Sequence, residues 1–190
     1  MTYDATVGPE QPLGRQTRRK GLIIVNTGDG KGKSTAAFGI VFRAWGRDMK
    51  PCVIQFLKNE GARFGEQRAA ERLGIEFVSS GDGFTWLSKD LDESAARARH
   101  GWALAQEKIA GGTYDLIVLD EITYAFSFGW LDFTEVRAWL EAFKPPMLHL
   151  VFTGRGASPE LIDFADLVTE MHEIKHPYRE GIKAQAGVEF

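Results

Sequence analysis

The sequence predicts an α/β protein, one domain built on a parallel sheet with helices on both faces. Three observations carry this. Short unbroken apolar runs alternate with helical patterns along the chain. A glycine-rich stretch, Thr27 to Thr35, lies between the first apolar run and the first helical pattern. A later apolar run, Leu116 to Leu119, ends in two acids, Asp120 and Glu121. Strands covered on both faces have no solvent side, so they read as continuous apolar runs, and parallel strands need a helical crossover between them.

The elements follow in order. Residues 21–26 read as a buried strand and 34–45 as a helix ended by Gly46. Residues 51–56 form a second strand, 66–73 a short helix closed by Gly74, and 75–78 a short strand. A loop, Ser79-Ser80-Gly81-Asp82-Gly83, follows. Residues 92–110 read as a long helix stopped by Gly111-Gly112, and 116–119 as an apolar strand. Residues 133–143 are helical and are cut off by Pro145-Pro146, because the residue before a proline is pushed out of the helical region. Residues 148–152 form a strand, 159–164 a helix and 167–171 an edge strand. There is no internal repeat and no linker. Residues 1–20 carry Arg15, Arg18, Arg19 and Lys20 among little apolar content and read as a flexible basic arm before a domain at 21–190. The alternative is an arm that folds over a site when ligand or a partner subunit is present.

Bulk properties narrow the classes. With 44% hydrophobic and 26% charged residues, the chain has material for a real core. A net charge of -3 argues against a general nucleic-acid or membrane-surface binder, which would carry a basic excess. The lone cysteine, Cys52, excludes a disulfide framework and a cysteine-based zinc site, and its apolar neighbours make it a buried strand thiol. No apolar run reaches the ~20 residues of a membrane span, and the first residues lack a signal-peptide core. The expected location is the cytoplasm.

The glycine-rich stretch is Thr27-Gly28-Asp29-Gly30-Lys31-Gly32-Lys33-Ser34-Thr35. Against G-x-x-x-x-G-K-[ST], Gly32, Lys33 and Ser34 match, while Thr27 stands where the first glycine is usual. Gly28 and Gly30 restore the flexibility that lets backbone N–H groups turn toward phosphate oxygens, and the following helix adds its positive end. Lys33 neutralises phosphate charge and the Ser34 hydroxyl suits Mg²⁺. Acids at the carboxyl end of a strand sit where ligands bind in open α/β sheets, which makes Asp120 and Glu121 the metal candidates; which of them touches the ion stays open. The fold implied is that of the phosphate-loop NTPases, RecA-like in its sheet.

Other residues stand out singly. Phe84 and Trp86, in Gly83-Phe84-Thr85-Trp86, are either anchors into the core or a face for a flat ligand. Arg155, just past a predicted strand, faces the phosphate-loop edge, where a phosphate or ligand contact is expected over the alternative of solvent. Arg43, nine residues after Ser34, either contacts nucleotide or lies on a solvated helix face. His172 and His176 have i, i+4 spacing, but Pro177 and the lack of a further ligand argue against a metal site.

Together the phosphate loop, Val53-Ile54-Gln55-Phe56, Phe84-Thr85-Trp86, Leu119-Asp120-Glu121-Ile122-Thr123-Tyr124, Thr153-Gly154-Arg155-Gly156 and Gly181-Ile182-Lys183-Ala184-Gln185-Ala186-Gly187 resemble the phosphate-loop ATP:corrinoid adenosyltransferases, also called cob(I)yrinic acid a,c-diamide adenosyltransferases. The resemblance runs from about Gly21 to Phe190. It implies a homodimer that moves the 5′-deoxyadenosyl group of ATP onto Co(I) of a corrinoid and releases triphosphate, with Mg²⁺ as cofactor and a flavoprotein as reductant. It implies ATP held in the reverse sense, with C5′ toward the nucleophile. It also implies that Phe84 and Trp86 occupy the lower face of the corrinoid, displacing the axial ligand so that Co(II) accepts an electron more readily. Two rival readings remain: a kinase or ATPase that cleaves at the γ-phosphate, and a non-catalytic ATP-dependent corrinoid-binding protein.

Overall fold

The computed structural model describes residues 19–59, 65–81 and 91–188. In chain order they form β1 (Ile23–Thr27), α1 (Lys33–Trp45), β2 (Pro51–Asn59), α2 (Gly65–Leu73), β3 (Glu76–Gly81), α3 (Leu91–Ala110), β4 (Leu116–Asp120), α4 (Ile122–Ser127), α5 (Phe133–Phe143), β5 (His149–Thr153), α6 (Pro159–Phe164) and β6 (Leu167–Glu170). The strands make one sheet in the order β3-β2-β4-β5-β1-β6. Each neighbouring pair is parallel. The fold class read from the sequence is the one the chain adopts.

Successive strand residues point to opposite faces, and both faces are covered. Ile23, Val25, Cys52, Ile54, Phe56, Ile117, Leu119, Leu150 and Phe152 share one core with residues of α3 to α6, among them Ile109, Ile122, Leu140 and Leu161. Ile24, Val53, Leu116, Val118 and Val151 face the other way, against Ala37, Val41 and Ala44 of α1 and Ala70 of α2. The alanines let these helices lie close to the sheet. α5 starts on Asp132, whose carboxylate accepts from the Thr134 N–H at 2.7 Å, and buries Phe133, Val136 and Leu140 along one stripe. α6 starts on Ser158 with Pro159 in its first turn, where a missing N–H does no harm.

Three differences from the sequence reading stand out. β2 and β3 extend past their apolar parts, to Asn59 and Gly81, because strand pairing needs only backbone groups; Gln55 pairs with Ser79 and Asn59 with Gly81. Ser79 to Gly81, expected in a loop, therefore belong to a strand. α4 was not expected at all. A further single turn of 3-10 helix spans Pro177–Glu180.

Most of the expected basic arm, residues 1–18, lies outside the described residues. Its end is tied down: Lys20 pairs with Asp166, whose other oxygen accepts from the Ile23 N–H at 2.9 Å, and the Gly21 N–H donates to the Pro146 carbonyl at 2.7 Å. Cys52 is fully buried, and burial pushes its thiol up to about 12, so it is the inert thiol expected. Among the described residues no helix is long and apolar enough to cross a membrane.

Candidate active site

β1 and α1 position the phosphate loop between them. Gly28 has φ 93° and Gly32 φ 107°, in the left-handed region. A Cβ at Gly28 would stand 2.4 Å from the Met171 carbonyl oxygen, so glycine is required there by space as well as by conformation. That contact shows how the loop is held. The Met171 N–H donates to the Thr27 carbonyl at 2.8 Å, and the Gly30 N–H donates to the Met171 carbonyl at 2.7 Å. The chain leaving β6 is thus the floor of the loop. At the N-terminus of α1, Gly32 offers no side-chain cap and no acid sits in the first turn, which leaves the positive helix end for an anion.

Lys33 is half-buried, and its Nζ donates to the Gly30 carbonyl at 2.6 Å. Burial, and then the charge of Arg155, lower its pKa, while Asp29 and Glu121 pull it back up. Arg155, Asp29 and Glu121 therefore all lie close enough for their charges to act on Lys33. Asp29, Lys31 and Thr35 are exposed around the loop, and Ser34 is partly buried at the start of α1.

The two acids after β4 have different surroundings. Asp120 is fully buried. One of its oxygens accepts from Gln55 Nε2 at 2.7 Å and the other from Thr153 Oγ1 at 2.6 Å. Glu121 is the N-cap position of α4 with φ 63° and ψ 17°. It is one of two non-glycine residues with positive φ among the described residues, a conformation that costs about 1–3 kcal/mol when nothing supports it. Support comes from its own N–H, which donates to Thr153 Oγ1 at 2.9 Å. Asp120 lies beneath the site, and Glu121 lies where its charge reaches Lys33 and Tyr124.

The chain leaving β5 closes the edge. Gly154 has φ 134°, and a Cβ there would stand 2.1 Å from Thr123 Oγ1. Thr123 Oγ1 donates to the Arg155 carbonyl at 2.7 Å, and the Ala157 N–H donates to Thr27 Oγ1 at 3.1 Å. Arg155 is exposed on this edge and acts electrostatically on both Lys33 and Tyr124. The Tyr124 hydroxyl has its pKa raised, first by burial. Its ring stacks on Phe128 at 6.4 Å, and Phe128 stacks on Trp130 at 4.8 Å.

Other sequence candidates fare differently. Arg43 is exposed in the last turn of α1, ten residues past Lys33, or roughly 15 Å along the axis, and the structure does not bring it to the loop. Phe84 and Trp86 lie outside the described residues. His172 and His176 do not share a helix; His176 Nδ1 accepts from the Tyr178 N–H at 3.1 Å. Among the described residues no group of three or more His, Cys, Asp or Glu could hold a metal. Oxygen donors around the loop include the Ser34 hydroxyl and the Asp29 and Glu121 carboxylates, and Ser34 with Glu121 suits a small hard cation already carrying phosphate oxygens and water. Sequence reasoning did not select Gln55, Thr153 and Tyr124. For two of them the available signal was a polar residue in an otherwise apolar strand run, Gln55 inside β2 and Thr153 at the end of β5.

This loop, edge and acid pair can be compared with known proteins. The family described as ATP:corrinoid adenosyltransferase BtuR/CobO/CobP matches residues 19–190. The chain belongs to that family. Among curated relatives, a corrinoid adenosyltransferase of Sinorhizobium sp is 45% identical over 183 residues, covering 95% of this chain and 86% of that one. One from Pseudomonas aeruginosa is 41% identical, with 95% and 89% covered, and one from Escherichia coli K12 is 37% identical, with 90% and 86% covered. Among solved structures, the crystal structure of the RadB recombinase aligns with a TM-score of 0.47 at 15% identity, covering 80% of this chain and 74% of that one.

Proposed function

We propose that this member of the family transfers the 5′-deoxyadenosyl group of ATP to the Co(I) of a corrinoid and releases triphosphate. One observation carries the reading: Arg155 and Glu121 lie close enough to act on the phosphate-loop lysine, Lys33, in a chain whose relatives are named corrinoid adenosyltransferases.

The chemistry asks for little acid–base help. The Co(I) lone pair attacks C5′ of the ribose, the cobalt–carbon bond forms, and the C5′–O bond breaks with its electrons leaving on triphosphate. No proton is removed, so no general base is required. The protein has two tasks, to hold C5′ in line and to stabilise the leaving anion. The loop N–H groups, Lys33 and Arg155 supply the second. Lys33 exchanges the Gly30 carbonyl for phosphate oxygen when ATP enters. Ser34 and Glu121 are the residues that would hold Mg²⁺, which when bound supplies further charge neutralisation to the triphosphate. Asp120, enclosed by Gln55 and Thr153, supports them from below. ATP lies so that C5′, not the γ-phosphorus, faces the corrinoid, and Phe84 and Trp86 cover the lower face of the corrin. A flavoprotein supplies the electron for Co(II). The enzyme works as a homodimer in the cytoplasm, on an arm-plus-domain plan divided near residue 20. A kinase or ATPase has no specific observation in its favour here.

The test mixes the protein with ATP, Mg²⁺ and chemically reduced Co(I) corrinoid. The expected products are a light-sensitive cobalt–carbon compound and inorganic triphosphate. ADP with no cobalt–carbon product would overturn the reading.

A further inference from the structure

A chain of polar groups crosses the sheet directly beneath the site. Ser79 Oγ on β3 lies 3.5 Å from Gln55 Oε1 on β2. Gln55 Nε2 donates to Asp120 Oδ2 on β4, Thr153 Oγ1 on β5 donates to Asp120 Oδ1, and the Glu121 N–H donates to Thr153 Oγ1. Gln55 is 1% exposed, and Asp120 and Thr153 are fully enclosed. Burying a carboxylate is costly unless its oxygens are all engaged, and here they are. A core of the same volume made of apolar residues would be simpler, so the network calls for a purpose.

Thr153 is the hub. A carboxylate oxygen only accepts, so the Thr153 hydroxyl proton is directed at Asp120. Its lone pair is then fixed in the direction of the Glu121 N–H. That N–H belongs to a residue in the left-handed region, which does not persist without support. β5 lies between β1 and β4 in the sheet, so it can brace the loop and the acid together. It does so: the Gly154 N–H donates to the Asn26 carbonyl at 3.2 Å, one residue from Thr153.

We propose that Thr153, backed by Asp120 and Gln55, is a positioning residue for the divalent cation. It holds Glu121 in the left-handed conformation from which the Glu121 carboxylate reaches the ion on the triphosphate. Thr153 touches neither ion nor nucleotide. This rests on the reading above only in that a cation accompanies ATP at Ser34 and Glu121; adenosyl transfer itself is not needed.

The experiment uses the full chain, Mn²⁺ as a paramagnetic probe and ATP, with no corrinoid present. Water-proton relaxation reports the ternary protein–Mn²⁺–ATP complex. Thr153→Val removes both hydrogen bonds at nearly constant shape. It should weaken Mn²⁺ binding about 10–100-fold, the usual scale for losing a group that orients a metal ligand. Thr153→Ser restores the hydroxyl and should restore affinity. Glu121→Gln should show a loss of similar size, and the double variant Thr153→Val/Glu121→Gln should be no worse than Glu121→Gln alone, since both act through one carboxylate. Leu140→Ala, a core truncation remote from the network, controls for lost stability and should leave Mn²⁺ affinity as it was. Should Thr153→Val melt below the assay temperature, Thr153→Ala, which admits a water, is read by the same outcomes. Wild-type affinity in the Thr153 variant, multiplied losses in the double variant, or an equal loss in Leu140→Ala would each overturn the proposal. A missing cobalt–carbon product in the transfer assay would overturn the proposed function and leave this inference standing.

Discussion

Lys33 starts from an unfavourable position. Burial and the nearby Arg155 charge lower its pKa from 10.5, although Asp29 and Glu121 oppose them. An incoming triphosphate brings negative charge that raises the pKa again. Where the free enzyme's Lys33 is partly neutral, ATP binding must therefore take up a proton. ATP affinity should fall as pH rises through the lowered pKa, and Lys33→Ala should bind ATP weakly with that slope removed. Calorimetry in two buffers of different ionisation enthalpy measures the proton uptake directly; an unchanged slope in Lys33→Ala would assign it to another group. The stability effect has the opposite sense. Because the unfolded chain holds the Lys33 proton more tightly, the folded state gains as pH rises toward 10.5. Truncating Lys33 should therefore not lower the melting temperature at neutral pH. At this scale Lys33 and Ser34 were legible because the loop spacing is local in sequence. The different surroundings of Asp120 and Glu121 were not, because they depend on Gln55 and Thr153, which arrive from other strands.

The seam between β3, α3 and β4 depends on one carboxylate. Glu76, at the start of β3, accepts from Lys108 Nζ at the end of α3 and from the Tyr114 hydroxyl just before β4. The Lys108 hydrogen bond, then the Tyr114 one, hold the Glu76 carboxyl below the usual range against the penalty of burial. Burial and the same carboxylate push the Tyr114 hydroxyl up to about 12. A carboxyl with a lowered folded-state pKa contributes stability above its unfolded pKa, and the contribution disappears as pH falls through the folded value. Glu76→Gln should therefore flatten the acid limb of melting temperature against pH. At neutral pH it should lose about 1 kcal/mol or less, since Glu76 is 42% exposed and solvent screens the pair. Superimposable acid limbs for variant and wild type would show that the seam gains nothing from this charge. Elements of this kind explain what the sequence did and did not reveal. The strands β1, β4 and β5 were visible because they are apolar throughout. α4 was not visible, since six residues from Ile122 to Ser127 are too few to display a helical period and follow directly on an apolar strand. The ends of β2 and β3 were hidden because backbone pairing, not side-chain pattern, extends them.

The sheet order sets the dimensions of the whole site. β5 separates the phosphate-loop strand β1 from the acid strand β4. With ~4.8 Å between neighbours, the loop and Glu121 are rooted roughly 10 Å apart, which leaves room for a triphosphate and its cation between them. β3 is four places from β1, so its carboxyl end is rooted on the same edge roughly 19 Å from the loop. Phe84 and Trp86 follow β3 in sequence, three and five residues after Gly81. Under the proposed function, phosphates bind at one end of this edge, and the strand that precedes Phe84 and Trp86 in sequence ends at the other. If the two ends work separately, ATP affinity and cobalt handling should be separable by mutation. Alanine at Phe84 or Trp86 should leave ATP binding near wild type. It should cripple transfer that starts from Co(II) with a flavoprotein reductant, because that route requires the lower axial ligand to be displaced. Transfer from pre-reduced Co(I) should suffer much less, since that species no longer carries the ligand. If the aromatics are core anchors instead, each truncation should cost about 3–5 kcal/mol of stability and reduce both assays alike. Equal losses in the two assays together with a lowered melting point would therefore remove Phe84 and Trp86 from the corrinoid face and return them to the core.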